Sequence, residues 1–188
     1  MLKGMSLLTT LDEQIARIHA GGGTPEAMFD KLRGPFEHVL RNPGVDLNAY
    51  SAKSTNLYAR YLVSNPALPI QLVLAFWRPG ADSPIHDHQG LTGAVGLLQG
   101  ELVETKYDLQ PEGERFRIAW QGGGRMQEGL ASPIYPSGFH QIHRMYNPGI
   151  RTATTLHVYL GRLTRVNRFF SEPDGLLRVE ARDLWFDS

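Results

Sequence analysis

The chain has 188 residues, with 19 Lys and Arg balanced by 19 Asp and Glu, seven His, 41% hydrophobic residues and no cysteine. That length supports one substantial core, and the balanced charge with dispersed arginines argues against a nucleic-acid track. The missing cysteine excludes disulfides, thiolate metal ligands and a cysteine nucleophile, so any metal must be held by nitrogen and oxygen donors. No segment has the apolar length of a membrane span and the N-terminus lacks an export pattern, so the expectation is a cytoplasmic protein with no membrane or nucleic-acid partner.

The first forty residues read as helical. Thr10-Leu-Asp-Glu13 has the form of a capping box, and Leu11, Ile15 and Ile18 space an apolar face. Gly21-Gly-Gly23 stops that helix. Thr24-Pro25 opens a second, with Met28, Phe29, Leu32, Phe36, Val39 and Leu40 along it, and Arg41-Asn-Pro-Gly44 turns the chain. Both helices are expected to pack outside a sheet. Residues 1–45 are thus an N-terminal helical segment on a barrel of residues 46–188, a single domain in all.

Residues 56–63 read as a strand that places Tyr58 and Arg60 on one face. Such an arginine either sits at the surface or reaches into a pocket to hold a carboxylate in a planar, bidentate manner. Residues 70–77 are strongly β-forming and end in Arg78-Pro-Gly80. His86-Asp-His88 comes next; on a strand the side chains alternate, so both imidazoles face one side and can meet one metal ion. Strands follow at 91–98, 101–107 and 115–120, with a turn at Gln99-Gly100, an Asp/Pro/Gly-rich loop, and Gly122-Gly-Gly124 as a separator. A second histidine group, His140, His143 and His157, falls in the later segments. His140 and His143 are three apart, so on a regular strand they face opposite ways and only one can join the first pair. Residues 153–160 close the apolar β pattern. Residues 163–188, with Phe169, Phe170, Trp185 and Phe186, are expected to cover an end or side. Many short strands between Gly and Pro turns imply a sandwich or barrel.

Gly80, His86, His88 and Gly100 resemble the first motif of the cupin superfamily, with Gly93 where that motif carries a glutamate. Pro136-Ser-Gly138, His143 and Asn147 resemble the second, with a loop two residues longer than usual. The loss of the glutamate sharpens the likeness to the thiol dioxygenase branch, which comprises cysteine dioxygenase, here of the bacterial type, and 3-mercaptopropionate dioxygenase. Tyr58-Ala-Arg60, Trp77-Arg-Pro-Gly80, Ser83-Pro-Ile-His-Asp-His88, Leu98-Gln-Gly-Glu-Leu-Val-Glu-Thr105 and Leu156-His157-Val-Tyr159 carry it.

The resemblance implies an all-β cupin barrel (a double-stranded β-helix or jelly roll) with the N-terminal helices packed outside. It implies Fe(II) held by His86, His88 and His143, with His140 as the alternative third ligand. It implies a catalytic row of Thr155, His157 and Tyr159, and substrate contacts from Tyr58, Arg60 and Arg168. The cysteine–tyrosine cross-link of some relatives is impossible here, because its cysteine position is Gly93.

The implied reaction adds both atoms of dioxygen to the sulfur of a small carboxylated thiol, giving a sulfinic acid. Triplet dioxygen reacts sluggishly with closed-shell thiols, which is why a redox metal is needed. Cysteine is the first choice, with Arg60 engaged; mercaptosuccinate would use Arg60 and Arg168 together, and 3-mercaptopropionate would use Arg168. The competing classes are an isomerase or other oxygenase on the same metal barrel, and a non-catalytic or sugar-binding metal cupin. No protein partner is identifiable.

Overall fold

A computed structural model describes residues 7–44, 46–51 and 53–187. Helix α1 spans Leu7–Gly21 and α2 spans Pro25–Arg41. Thr24 caps α2 as expected: its Oγ1 accepts the Ala27 N–H at 3.3 Å and Pro25 begins the helix. The box expected at Thr10 is not a helix start, because Thr10 lies inside α1. Leu8 is buried with Leu11 and Ile15, so the apolar face extends a turn further upstream. A short helix α3, Leu47–Ser51, was not foreseen; Asp46 Oδ1 accepts the N–H groups of Asn48 and Ala49 at its start.

Eleven strands follow among the described residues. They are β1 Tyr58–Leu62, β2 Gln71–Trp77, β3 Ile85–His86, β4 Gly93–Gln99, β5 Val103–Glu112 and β6 Arg115–Arg125. The others are β7 Ala131–Ile134, β8 Ile142–Tyr146, β9 Ala153–Tyr159, β10 Arg165–Ser171 and β11 Leu177–Asp183. Five form an antiparallel sheet in the order β1-β2-β9-β4-β7. The other six close on themselves as β10-β11-β6-β5-β8-β3. This is the all-β cupin barrel with helices at its N-terminal end.

Side-chain alternation explains how the sheet serves two cores. Along β2, Leu72, Leu74 and Phe76 join the residues of α1 and α2, whereas Val73, Ala75 and Trp77 face inward. Strand β9 divides in the same way, with Leu156 and Val158 toward the helices and Ala153 and Tyr159 inside. All seven residues of β2 and of β9 are buried, which matches their unbroken β-forming composition.

Two expectations about the later strands are corrected. The polar stretch after Tyr107 and the run Gly122-Gly-Gly124 are not linkers; they lie in β5 and β6, a long hairpin paired from Val103↔Arg125 to Glu112↔Arg115. Gly123 is needed for close approach: a Cβ there, at φ +152°, would stand 2.0 Å from the Glu104 carbonyl oxygen. Residues 163–188 do not merely cover the barrel, since β10 and β11 are two of its strands.

Candidate metal centre and substrate pocket

Strand β3 is only two residues long, yet its register defines the centre. His86 pairs with His143 of β8 on one side and with Arg168 of β10 on the other. His88 lies past the end of β3, so the expected regular strand through both histidines is not formed. Asp87 supplies the missing order. Its N–H donates to the Asn167 carbonyl at 3.1 Å, and its carboxylate accepts Asn167 N–H at 2.9 Å and Nδ2–H at 2.8 Å. With Asp87 tied to β10, the rings of His86, His88 and His143 converge, with centroids 4.7 to 5.3 Å apart. One ring nitrogen from each lies within 4.8 Å of the others.

Hydrogen bonding fixes which nitrogens these are. His86 Nδ1 donates to the Pro84 carbonyl at 2.9 Å, and His88 Nδ1 to the Gln141 carbonyl at 2.9 Å. His143 Nδ1 donates to Glu104 Oε1 at 2.7 Å. Carbonyl and carboxylate oxygens only accept, so all three imidazoles carry hydrogen on Nδ1 and present a lone pair at Nε2. The Nε2 atoms of His88 and His143 are buried without a hydrogen-bond partner among the described residues. An unpaired buried acceptor costs about 1–3 kcal/mol, and a metal ion is what satisfies a converging set of this kind. Burial lowers the pKa of all three, well below the ordinary value for His88 and His143, so they stay neutral as ligation requires.

His140 is not in this group. It ends a 3-10 turn, Gly138–His140, its Nδ1 accepts from Lys106 Nζ at 2.8 Å, and its ring meets Tyr135. The alternation argument separating it from His143 does not apply, because the two share no strand.

On the inner face of β9, Thr155, His157 and Tyr159 stand in a row, as the resemblance implied. Trp77 Nε1–H donates to Thr155 Oγ1 at 2.9 Å, Thr155 Oγ1 is 2.9 Å from His157 Nε2, and Tyr159 Oη is 3.3 Å from His157 Nδ1. Burial pushes the His157 pKa down to about 3, so this imidazole is neutral. Burial, then the nearby Tyr58, raises the Tyr159 pKa, and burial pushes Tyr58 up to about 12. Both phenols therefore keep their protons and can donate.

Arg60 stands on β1 with its guanidinium against the Tyr58 and Phe186 rings, 5.6 and 5.9 Å from their centroids. Its Nη2 donates to the Trp185 carbonyl at 3.0 Å. The C-terminal segment is strapped along β1: Arg60 N–H donates to Asp187 Oδ2 at 2.8 Å, and Asp187 N–H to the Arg60 carbonyl at 2.7 Å. An inner cavity of about 30 Å3 is bounded by Tyr58, Arg60, Trp77, His86, His157 and Tyr159. An outer one of about 190 Å3 shares Tyr58, Arg60 and His86 and adds Arg168, Trp185 and Asp187. Arg60 and Arg168 both line the outer cavity, and burial, then Arg60, lowers the Arg168 pKa.

Glu104, Asp87 and Leu184, which lines both cavities, were not singled out from the sequence. Glu104 carries the faintest signal: it shares strand parity with Leu102, so a charge occupies an inward position.

The fold is that of a cupin, and its three-histidine cluster suits a metal ion. A family model described as cysteine dioxygenase type I matches residues 41–172, most of the chain, and the chain belongs to that family. It is a cupin thiol dioxygenase, an oxidoreductase. Cysteine dioxygenase type 1 of Danio rerio is 26% identical over 151 residues, covering 80% of this chain and 74% of that protein. The Mus musculus protein of the same name matches with the same identity and coverage. Among solved structures, an oxalate oxidase is similar at TM-score 0.48 and 16% identity, covering 60% of this chain and 55% of that one. A cupin-superfamily sugar phosphate isomerase from Silicibacter pomeroyi has TM-score 0.46 and 17% identity, covering 68% and 76%. No helix among the described residues is long and apolar enough to cross a membrane.

Proposed function

We propose that the protein is a non-haem Fe(II) enzyme that adds both atoms of dioxygen to the sulfur of a small carboxylated thiol, L-cysteine first, giving a sulfinic acid. The observation that carries this reading is the convergence of three Nδ1-protonated imidazoles, one of which, His86, lines a cavity together with Arg60 and Tyr159. His86, His88 and His143 would hold the ion through Nε2, and a set of three neutral nitrogens with no thiolate suits ferrous iron. When bound, the iron supplies the redox chemistry that dioxygen and a closed-shell thiol lack.

The remaining roles belong to the chain itself. Arg60 spends one of its donors on the Trp185 carbonyl, and the rest of its planar fork can clamp a carboxylate. Tyr159 keeps its proton and donates a hydrogen bond toward the cavity, with His157 and Thr155 orienting the hydroxyl. Tyr58 fills the wall beneath the Arg60 guanidinium. The inner cavity is small, and a substrate lying across both cavities would keep its sulfur near His86 and its carboxylate within reach of Arg60, which lines both.

Arg168 supports a second reading. It borders the outer cavity with Arg60, an arrangement suited to a thiol with two carboxylates, such as mercaptosuccinate, held from both sides. The test is oxygen uptake by the Fe(II)-loaded protein with cysteine, 3-mercaptopropionate and mercaptosuccinate, with the sulfinate identified. Preference for cysteine supports the first reading and preference for mercaptosuccinate the second. Activity with zinc or manganese and no oxygen uptake would sink both.

A further inference from the structure

Glu104 is a buried carboxylate with no part in the roles above. Only 6% exposed on β5, it accepts His143 Nδ1–H at Oε1 and the Ser132 hydroxyl at Oε2, each at 2.7 Å. Lys106 Nζ stands 3.9 Å from Oε2. Both carboxylate oxygens are thereby engaged, one on β8 and one on β7, so the group has a single orientation. The other two histidines of the cluster donate to backbone carbonyls, which carry no charge. His143 alone is backed by an anion.

The distinction has a chemical consequence. A carboxylate behind an imidazole fixes its tautomer and ring orientation and raises the basicity of the far nitrogen. Three neutral imidazoles leave a divalent ion with its full charge. Gly93 offers no carboxylate from β4, since any Cβ there would meet the Val158 carbonyl oxygen at 2.1 Å. Glu104 returns one negative charge to the site at a distance of one ring, and it occupies no coordination position. We infer that Glu104 is a positioning residue for the metal centre: it holds His143 as a strong Nε2 donor, raises metal affinity and favours the more highly charged oxidation state. The inference rests on the three-histidine reading of the site, but not on the identity of the thiol.

Two variants separate this role from a structural tie between β5 and β7. Glu104→Gln keeps the size and an acceptor for Nδ1–H but removes the charge. Ser132→Ala leaves the carboxylate in place and frees its second oxygen. For each, the Co(II) dissociation constant is read by competition with a chromophoric chelator, alongside apo-protein melting and the Fe(III)/Fe(II) midpoint. E104Q is expected to weaken Co(II) binding by about 10–100-fold and to raise the midpoint, with apo melting close to wild type. S132A should shift both in the same direction by less, and it carries the test alone if E104Q does not fold. Affinity within about twofold of wild type and an unmoved midpoint in the folded variants would overturn the inference, leaving Glu104 a structural tie. A wild-type protein that binds no divalent metal would overturn the three-histidine reading, and this inference with it. Weakened binding by E104Q in a protein that oxidises no thiol would uphold the inference and reject only the thiol chemistry.

Discussion

Arg60 and Tyr159 face the same inner cavity from β1 and β9, which flank β2 in one sheet, and their replacement should separate substrate holding from chemistry. Arg60→Gln removes charge-assisted hydrogen bonds worth about 1.5–3 kcal/mol, so kcat/KM should fall roughly 10–150-fold, mainly through KM. Tyr159→Phe removes one aimed donor; the expected loss is on the order of 10²-fold in kcat with KM little changed. Steady-state oxygen uptake measures both, and equal effects on KM and kcat in each variant would contradict the assignment. At this scale the sequence is legible where identity carries the chemistry. His86 and His88 are visible from their spacing, whereas the roles of Arg60 and the Thr155-His157-Tyr159 row come from the family resemblance. Glu104 was not, since a glutamate in a strand ordinarily faces water and only the tertiary structure shows that this one does not.

Among the elements, β3 and β4 carry the most consequence for their length. Two residues of β3 place His86 between His143 and Arg168, and Asp87 finishes the alignment by tying to Asn167 rather than by continuing the strand. Strand β4 runs so close to β9 that a Cβ at Gly93 would lie 2.1 Å from the Val158 carbonyl oxygen. Gly93→Cys should therefore form no thioether with Tyr159 and should cost about 1–3 kcal/mol of stability as the strands are forced apart. Intact mass and a thermal melt check this; a cross-linked species, seen as mass loss with loss of free thiol, would show that β4 can yield. Strand periods told where β2 and β9 lie. They did not reveal that a glycine run can be a strand, because glycine's usual role as a breaker is lifted at Gly123 by the approach of β5.

For the molecule as a whole, three buried imidazoles and the half-buried His86 link stability to pH. Burial lowers the pKa of His86, His88, His143 and His157 from 6.5, whereas the unfolded chain binds those protons freely. The unfolded state thus takes up more protons below that value. Stability of the metal-free protein should be full above pH 6.5 and fall as pH drops, by up to about 1.4 kcal/mol per pH unit for each imidazole. Melting curves between pH 4 and pH 8 would show it; a midpoint insensitive to acid would refute it. Divalent metal at about 100 times its dissociation constant should add about 2.7 kcal/mol, reversed by chelator. We further propose that the helical segment and barrel are one domain, since α1, α2 and the outer face of the sheet share one buried cluster. Removing residues 1–45 should then yield aggregated protein, and a soluble, cooperatively melting barrel would argue otherwise.

The sequence by itself determined the chemical inventory and the alternation of strands. Residue type and period are local properties, and they suffice to call a β-barrel with histidine ligands and no sulfur donor. Tertiary structure alone decided which groups meet. Register across β8, β3 and β10 brought His143, which the motif resemblance already favoured, against His86 and set Arg168 on the outer cavity that Arg60 also lines. Closure of β5 onto β8 turned Glu104 into the partner of His143. Contacts of this kind join residues distant along the chain, and no local pattern encodes them.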